Sequence, residues 1–193
     1  MNHQRRKSAA PDAGAWHPVT NADRRLRPWL EIETSLSIAI ARQCPADAPF
    51  RVRLLHEGAQ LPILDEAPMI VSASGDRVHS RDVLLSSGDT PLVYAHTVLR
   101  REHLRHPWHH LVRIGTRPLG SLLFAHPRIC PGTISYRRLG ARHPLWRRAQ
   151  GHIALASPTA TLWARRAVFQ LDGCPLLVTE VFLPGILTLP LPS

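Results

Sequence analysis

Glu180 is a carboxylate on a strand face that is otherwise apolar. In the segment PLLVTEVFLP, strand alternation puts its side chain on the same face as Val178 and Phe182. Burying an ion is costly unless the ion is paired or hydrogen-bonded. The sequence therefore predicts that Glu180 has a partner, which is either a ligand or a structural ion pair with Arg165 or Arg166.

Arg81 presents the same feature with the opposite charge. Its side chain alternates in phase with the apolar residues Val83 and Leu85. The planar fork of a guanidinium matches a carboxylate through two parallel hydrogen bonds, so Arg81 is a candidate anchor for an acidic substrate. The alternative is an ion pair between Arg81 and Glu180 that has no functional role.

Metal and thiol chemistry are not indicated by the remaining reactive residues. An i and i+3 spacing could bring two imidazoles onto one helix face among His103, His106, His109 and His110. Pro107 interrupts that segment, however, and Glu102 is the only acidic residue near it. Cys130 has no evident base beside it, and no nucleotide-binding or nucleophile-elbow motif occurs. We predict neither a metal nor an organic cofactor.

Two predicted β-hairpins must position the two charged side chains. Segments 78–86 and 91–99 flank a four-residue turn at 87–90, and segments 162–171 and 175–183 flank Asp172-Gly173. Asp-Gly between two strands is a strong hairpin signal. Strands joined by hairpins indicate an antiparallel sheet.

The rest of the chain is predicted to form helices, two further strands and a loop. Thr34 or Ser35 can cap the first of them. In chain order we predict a helix over 36–43, a strand over 50–57 ended by Gly58, helices over 102–114 and 118–125, a strand over 132–140 and a loop over 141–160. The sequence therefore predicts a single α+β domain over residues 26–193, with its helices on one side of the sheet, preceded by a flexible basic arm over residues 1–25.

The net charge of +10 is compatible with two classes of partner. A basic surface can bind nucleic acid, or it can draw a small dianion toward a cleft. No helix-turn-helix, zinc finger or aromatic RNA-binding signature accompanies the charge, so we predict no nucleic-acid partner. Apolar runs are too short for stable membrane insertion, no export signal is visible, and the three cysteines form no pairing motif, which favours a cytoplasmic protein.

Four segments resemble the chorismate lyase family. The most specific is LWARR at 162–166 followed by DGCPLLVTEVFLP at 172–184. WL at 29–30 with ETSL at 33–36, RDVLL at 81–85 and RPLGSLLF at 117–124 agree with the family in the same order. The resemblance covers about residues 29–185 and treats the stretch around 142–161 as an inserted surface loop.

The resemblance implies an antiparallel sheet with helical flaps over an internal pocket. It also implies a lyase that splits chorismate into 4-hydroxybenzoate and pyruvate for ubiquinone biosynthesis, without a cofactor. Arg81 and Glu180 would be its catalytic residues. Arg81 and the backbone N–H groups of Leu36 and Leu119 would hold the ring carboxylate, and Glu180 would meet the ring hydroxyl. His96 stands where a well-known member has a second arginine, and it would donate a hydrogen bond to the enolpyruvyl carboxylate.

A non-catalytic sensor of small aromatic acids is the alternative function, because the same fold type serves as an effector-binding module in some transcription regulators. Such regulators carry a DNA-binding domain ahead of this module. The residues before Trp29 are too few for a winged helix, so we expect the lyase. We expect it to be a monomer whose partners are its small-molecule substrate and product.

Overall fold

A computed structural model of the chain describes residues 15–70, 75–153 and 160–192. The strands within these ranges are β1 (Phe50–Gln60), β2 (Val78–Ser87), β3 (Thr90–Arg100), β4 (Cys130–Pro131), β5 (Ser135–Leu139), β6 (Leu162–Leu171) and β7 (Cys174–Phe182). They form one antiparallel sheet in the order β1-β2-β3-β7-β6-β4, and β5 pairs with another part of β6. This confirms the predicted α+β class.

Short helices cover both faces of the sheet. They are α1 (Arg27–Leu30), α2 (Leu36–Gln43), α3 (Ala67–Ile70), α4 (Leu119–Ala125) and α5 (Pro144–Gln150), with 3₁₀ helices at Arg101–Leu104, His109–Arg113 and Pro184–Thr188. Helices α1, α2 and α4 pack on the face that carries Val83 and Phe169, whereas α3 and α5 pack on the opposite face. The prediction that all helices lie on one side was wrong.

Both predicted hairpins are confirmed. Asp172 and Gly173 adopt left-handed backbone angles, with φ of 53° and 75°, as a tight two-residue turn of this type requires. In the other hairpin Ser87 pairs with Thr90, so the turn has two residues rather than four. Ser87 and Thr90 are common turn residues, which is why the sequence alone placed them in the loop.

Strand β1 is longer than predicted and contains an irregularity. It continues past Gly58 to Gln60, and its register against β2 shifts between Leu54 and His56. Leu54 stays in phase with Val52, since these two residues lie opposite Val83 and Leu85. The shift instead puts His56 opposite Asp82, so His56 faces the other side of the sheet.

The helices agree only in part with the sequence. Helix α2 has the predicted bounds, and the side chain of Ser35 caps it by accepting a hydrogen bond from the N–H of Ile38 at 3.4 Å. The predicted helix over 102–114 is instead two 3₁₀ helices with Pro107 between them. These 3₁₀ helices pack beside α4 under one end of the sheet through Trp108 and Leu111.

The stretch predicted as a surface loop contains α5. Leu145, Trp146 and Ala149 on this helix are buried against the sheet, and the indole N–H of Trp146 donates to the carbonyl of Ala160 at 2.9 Å. Pro144 at the first helical position was the available start signal. Residues 154–159 of the predicted loop lie outside the described residues.

The second half of the predicted N-terminal arm contacts the domain. Trp16 donates its indole N–H to Asp65 at 2.8 Å, and His17 exchanges two backbone hydrogen bonds with Tyr136 at 2.9 and 2.7 Å. Thr20 is buried. Residues 1–14 lie outside the described ranges. Among the helices that the structure describes, none has the length and apolar character needed to cross a membrane.

Candidate active site

A cavity of about 440 Å³ lies between the sheet and the helices α2 and α4. Small-molecule sites in proteins have volumes of this order. Strand alternation turns one set of side chains toward it, namely Arg81, Val83 and Leu85 from β2, Ala95 and Thr97 from β3, Val178 and Glu180 from β7, and Arg165 from β6. The cavity is therefore apolar through most of its wall and charged at a few defined points.

Arg81 is buried at the cavity wall with only 3% of its surface exposed. Its Nη2 donates to the carbonyl of Gly115 at 2.6 Å and to that of Arg117 at 3.4 Å, while its Nε has no hydrogen-bond partner in the described part of the chain. Burial lowers the pKa of the Arg81 guanidinium, and the Glu57 carboxylate opposes this shift. Among the described residues, no carboxylate lies within ion-pair distance of Arg81.

The predicted alternative of an Arg81–Glu180 ion pair was wrong. Arg81 is opposite Thr97, Thr97 is opposite Val178, and Glu180 lies two residues further along β7. Two strand spacings across the sheet and two residues along it separate the backbones of Arg81 and Glu180 by about 12 Å. The two charges therefore face one cavity from different places.

Glu180 pairs with Arg165, the residue opposite it on β6. Arg165 Nε lies 2.6 Å from Glu180 Oε2, and the two side chains are 6% and 19% exposed. Arg165 Nη1 also donates to the carbonyls of Leu30, at 3.1 Å, and Ile32. Arg166 is not the partner, because its Nη1 donates to the carbonyl of Asp65 at 3.0 Å. The structural pairing expected for Glu180 is thus present, and it lies in the cavity wall.

Leu36 and Leu119 meet the cavity as the first residues of α2 and α4. The first N–H groups of a helix have no acceptor within the helix, and that end of the helix carries partial positive charge. The two helix starts approach each other closely, since a Cβ added to Gly120 would lie 2.5 Å from Ser35 Oγ. The two helix starts therefore lie side by side in the wall of the cavity.

Comparison with models of protein families identifies the family of this chain. A family model described as chorismate lyase matches residues 11–189. The chain belongs to the chorismate lyase family.

Curated relatives agree with this membership in the chorismate lyase family. A probable chorismate pyruvate-lyase of Thiobacillus denitrificans is 42% identical over 174 residues, which cover 90% of each chain. Another of the same name from Azoarcus sp. is 43% identical over 177 residues, covering 90% of this chain and 91% of the relative.

Among solved structures, two transcription regulators share the fold of this member of the chorismate lyase family. A GntR-family transcriptional regulator from Enterococcus faecalis V583 matches 70% of this chain and 90% of its own with a TM-score of 0.50 and 9% identity. One from Bacillus cereus matches 70% and 92% with a TM-score of 0.50 and 15% identity. Identities this low show a shared fold only, so they do not favour the sensor function over the lyase.

His96 is a predicted site residue, but it does not line the cavity. It is fully buried on the opposite face of the sheet, where Nδ1 contacts Asp82 and Nε2 lies 3.2 Å from Glu66 Oε1. Alternation along β3 gives the cavity Ala95 and Thr97 instead. Burial acts to lower the pKa of His96, but its contacts with Asp82 and Glu66 raise that pKa to about 9. The expected placement in the substrate site is therefore corrected.

Arg165 lies in the cavity wall, a position that the sequence does not predict for it. The sequence predicts Arg165 only as a structural partner for Glu180, although it alternates in phase with the cavity residues Ala167 and Phe169. The same alternation argument that singled out Arg81 could have found it. Within the described ranges, no three His, Cys, Asp or Glu side chains are grouped so as to hold a metal ion.

Proposed function

We propose that this chain is a chorismate pyruvate-lyase, which eliminates pyruvate from chorismate and leaves 4-hydroxybenzoate. The observation that carries this proposal is Arg81, a buried cation that has no carboxylate of its own among the described residues and faces an apolar cavity. Such a charge is stabilised when an anionic ligand binds to it. Membership in the chorismate lyase family supports the ring carboxylate of chorismate as that ligand.

The cavity holds the ring by its two ends in this proposal. Arg81 binds the ring carboxylate, and the backbone N–H groups of Leu36 and Leu119 complete that anion site. Glu180 accepts a hydrogen bond from the ring hydroxyl at the other end. The separation between Arg81 and Glu180 across two strand spacings leaves room for a single substituted ring between them.

The reaction needs positioning more than it needs titrating groups. The bond between the ring carbon and the enolpyruvyl ether oxygen breaks, and the neighbouring hydroxyl-bearing carbon loses its hydrogen. That hydrogen, transferred to the departing methylene directly or through a base, converts enolpyruvate into pyruvate, while the ring becomes aromatic. Atoms and electrons balance without an external oxidant or reductant. Fixing the reacting geometry can lower a barrier by about 7 to 11 kcal/mol, and apolar walls exclude water from the reacting atoms.

The cellular setting is part of the same proposal. The enzyme acts as a cytoplasmic monomer on small molecules, and its product feeds ubiquinone biosynthesis, the role of the family. One observation supports the cytoplasmic setting. Cys44, Cys130 and Cys174 are all free thiols, which is usual in a reducing compartment.

Turnover by the purified protein tests the proposal. We expect chorismate to give 4-hydroxybenzoate, followed by its absorbance, and an equal amount of pyruvate, measured with a coupled dehydrogenase. Truncating one member of a desolvated charge pair costs about 2 to 5 kcal/mol, so Arg81→Met should lower kcat/KM at least tenfold.

Arg51→Met is the matched control for this experiment. Arg51 is an exposed arginine on β1 that faces Asp89 at 3.6 Å, away from the cavity, so its loss should leave turnover unchanged. The proposal fails if folded wild-type protein forms no 4-hydroxybenzoate, or if Arg81→Met turns over as Arg51→Met does.

A further inference from the structure

Chorismate carries two carboxylates, and the arginine assigned above binds only the one on the ring. The second belongs to the enolpyruvyl group and needs a cationic partner of its own in an apolar cavity. Three arginines border the cavity among the described residues, namely Arg81, Arg165 and Arg166. The guanidinium of Arg166 lies over the ring of Trp16 at 4.1 Å and bonds to Asp65. With His96 on the far face of the sheet, Arg165 is the remaining cation.

We propose that Arg165 binds the enolpyruvyl carboxylate of chorismate and so makes the site selective for the substrate over its product. This inference rests on the proposed function and adds a residue that distinguishes the two ligands.

The positions of the substituents on the chorismate ring require the groups that bind them to be neighbours. The enolpyruvyl ether is attached to the ring carbon next to the one that bears the hydroxyl. A group that binds the enolpyruvyl carboxylate must therefore lie beside the group that binds the hydroxyl. Glu180 is assigned to the hydroxyl, and Arg165 is its direct partner across the β6–β7 pair.

The hydrogen bonds of Arg165 leave one edge of its guanidinium available. A guanidinium has five N–H donors. Nε donates to Glu180, and Nη1 donates to the carbonyls of Leu30 and Ile32. Within the described part of the chain, Nη2 donates to no acceptor. Two N–H groups on a rigidly held fork can therefore meet a carboxylate.

Charge gives a second reason for this role. The Glu180 carboxylate would repel another carboxylate brought close to it. A guanidinium that contacts both anions through different edges offsets that repulsion. Because 4-hydroxybenzoate has no enolpyruvyl group, this contribution is present for the substrate and absent for the product.

Arg165→Lys tests the inference, because lysine keeps the positive charge beside Glu180 but loses the planar fork. We expect KM for chorismate to rise at least tenfold, while Kd for 4-hydroxybenzoate, measured by calorimetry, stays within twofold of wild type. A purely structural role predicts that both constants change together or that neither changes. Either of those results would overturn the inference.

Wild-type protein gives an independent measurement that needs no variant to fold. 3-(Carboxymethoxy)-4-hydroxybenzoate keeps the ring hydroxyl and places a second carboxylate on the neighbouring position, as in chorismate, and 4-hydroxy-3-isobutoxybenzoate has a similar shape without that charge. We expect the dicarboxylate to bind at least tenfold more tightly to wild type, and this ratio to fall below three in Arg165→Lys. Equal binding of the two compounds by wild type would contradict the inference.

The two proposals fail in different ways. Absence of chorismate turnover by wild type removes the proposed function. Normal turnover by wild type together with an unchanged KM in Arg165→Lys removes only the role of Arg165.

Discussion

Buried charges in the central strands are stabilised in two different ways. Arg165 and Glu180 form a direct ion pair at 2.6 Å, and His96 lies between two carboxylates. Arg81 has only neutral carbonyl acceptors among the described residues. An incompletely compensated charge lowers the stability of the folded protein, so we expect an anionic ligand to compensate that of Arg81.

His96 makes the folded protein sensitive to pH. Its pKa is raised from 6.5 to about 9, so its contribution to stability is complete below pH 6.5 and is lost as the pH rises through about 9. Urea unfolding of wild type should show a fall of about 3 kcal/mol over this interval. In His96→Gln, stability should be lower at pH 6.5 and should lack most of this fall.

The same variant checks the corrected position of His96. Because the imidazole faces away from the cavity, folded His96→Gln should bind 4-hydroxybenzoate within twofold of wild type. A tenfold loss of affinity in a folded protein would return His96 to the substrate site.

At the scale of elements, the starts of α2 and α4 lie side by side at the cavity, and in the proposed complex they receive the ring carboxylate. Gly120 allows them to approach, since an added Cβ would meet Ser35 Oγ at 2.5 Å and Ser37 Oγ at 3.0 Å. Ser35 cannot move freely, because its hydroxyl caps α2. A side chain at position 120 should therefore separate the backbone N–H groups of Leu36 and Leu119.

Gly120→Ala should weaken 4-hydroxybenzoate binding at least fivefold in calorimetry. Gly140→Ala is the control, because apart from the chain neighbours of Gly140 no atom of the described residues lies within 4 Å of a Cβ added there. Unchanged affinity in Gly120→Ala would show that the two helix starts do not need this close contact to bind the product.

The elements that the sequence predicts correctly are those with local signals. The turn at Asp172-Gly173 needs left-handed residues, and the cap of α2 needs a hydroxyl, so each is written in a few adjacent residues. Helix α5 depends on burying Trp146 against the opposite face of the sheet. The partner of Glu180 follows from the register of the β6–β7 hairpin, in which the turn at Asp172-Gly173 puts Arg165 opposite Glu180. The burial of Trp146, in contrast, cannot be read from adjacent residues.

At the scale of the whole molecule, the sheet separates two polar environments. One face carries the cavity with Arg81 and the Arg165–Glu180 pair, and the other carries His96 with its two carboxylates. Alternation along strands fixes this division, so a difference of one position moves a side chain from the substrate site to a structural network. The net charge of +10 favours the approach of a dianionic substrate to the molecule.

A crystal structure of the complex with 4-hydroxybenzoate tests the central claim most directly. The product carboxylate should lie within about 3.2 Å of the Arg81 guanidinium and of the N–H groups of Leu36 and Leu119, with the hydroxyl at Glu180. A ring bound in the reverse direction, or bound outside this cavity, would contradict the account.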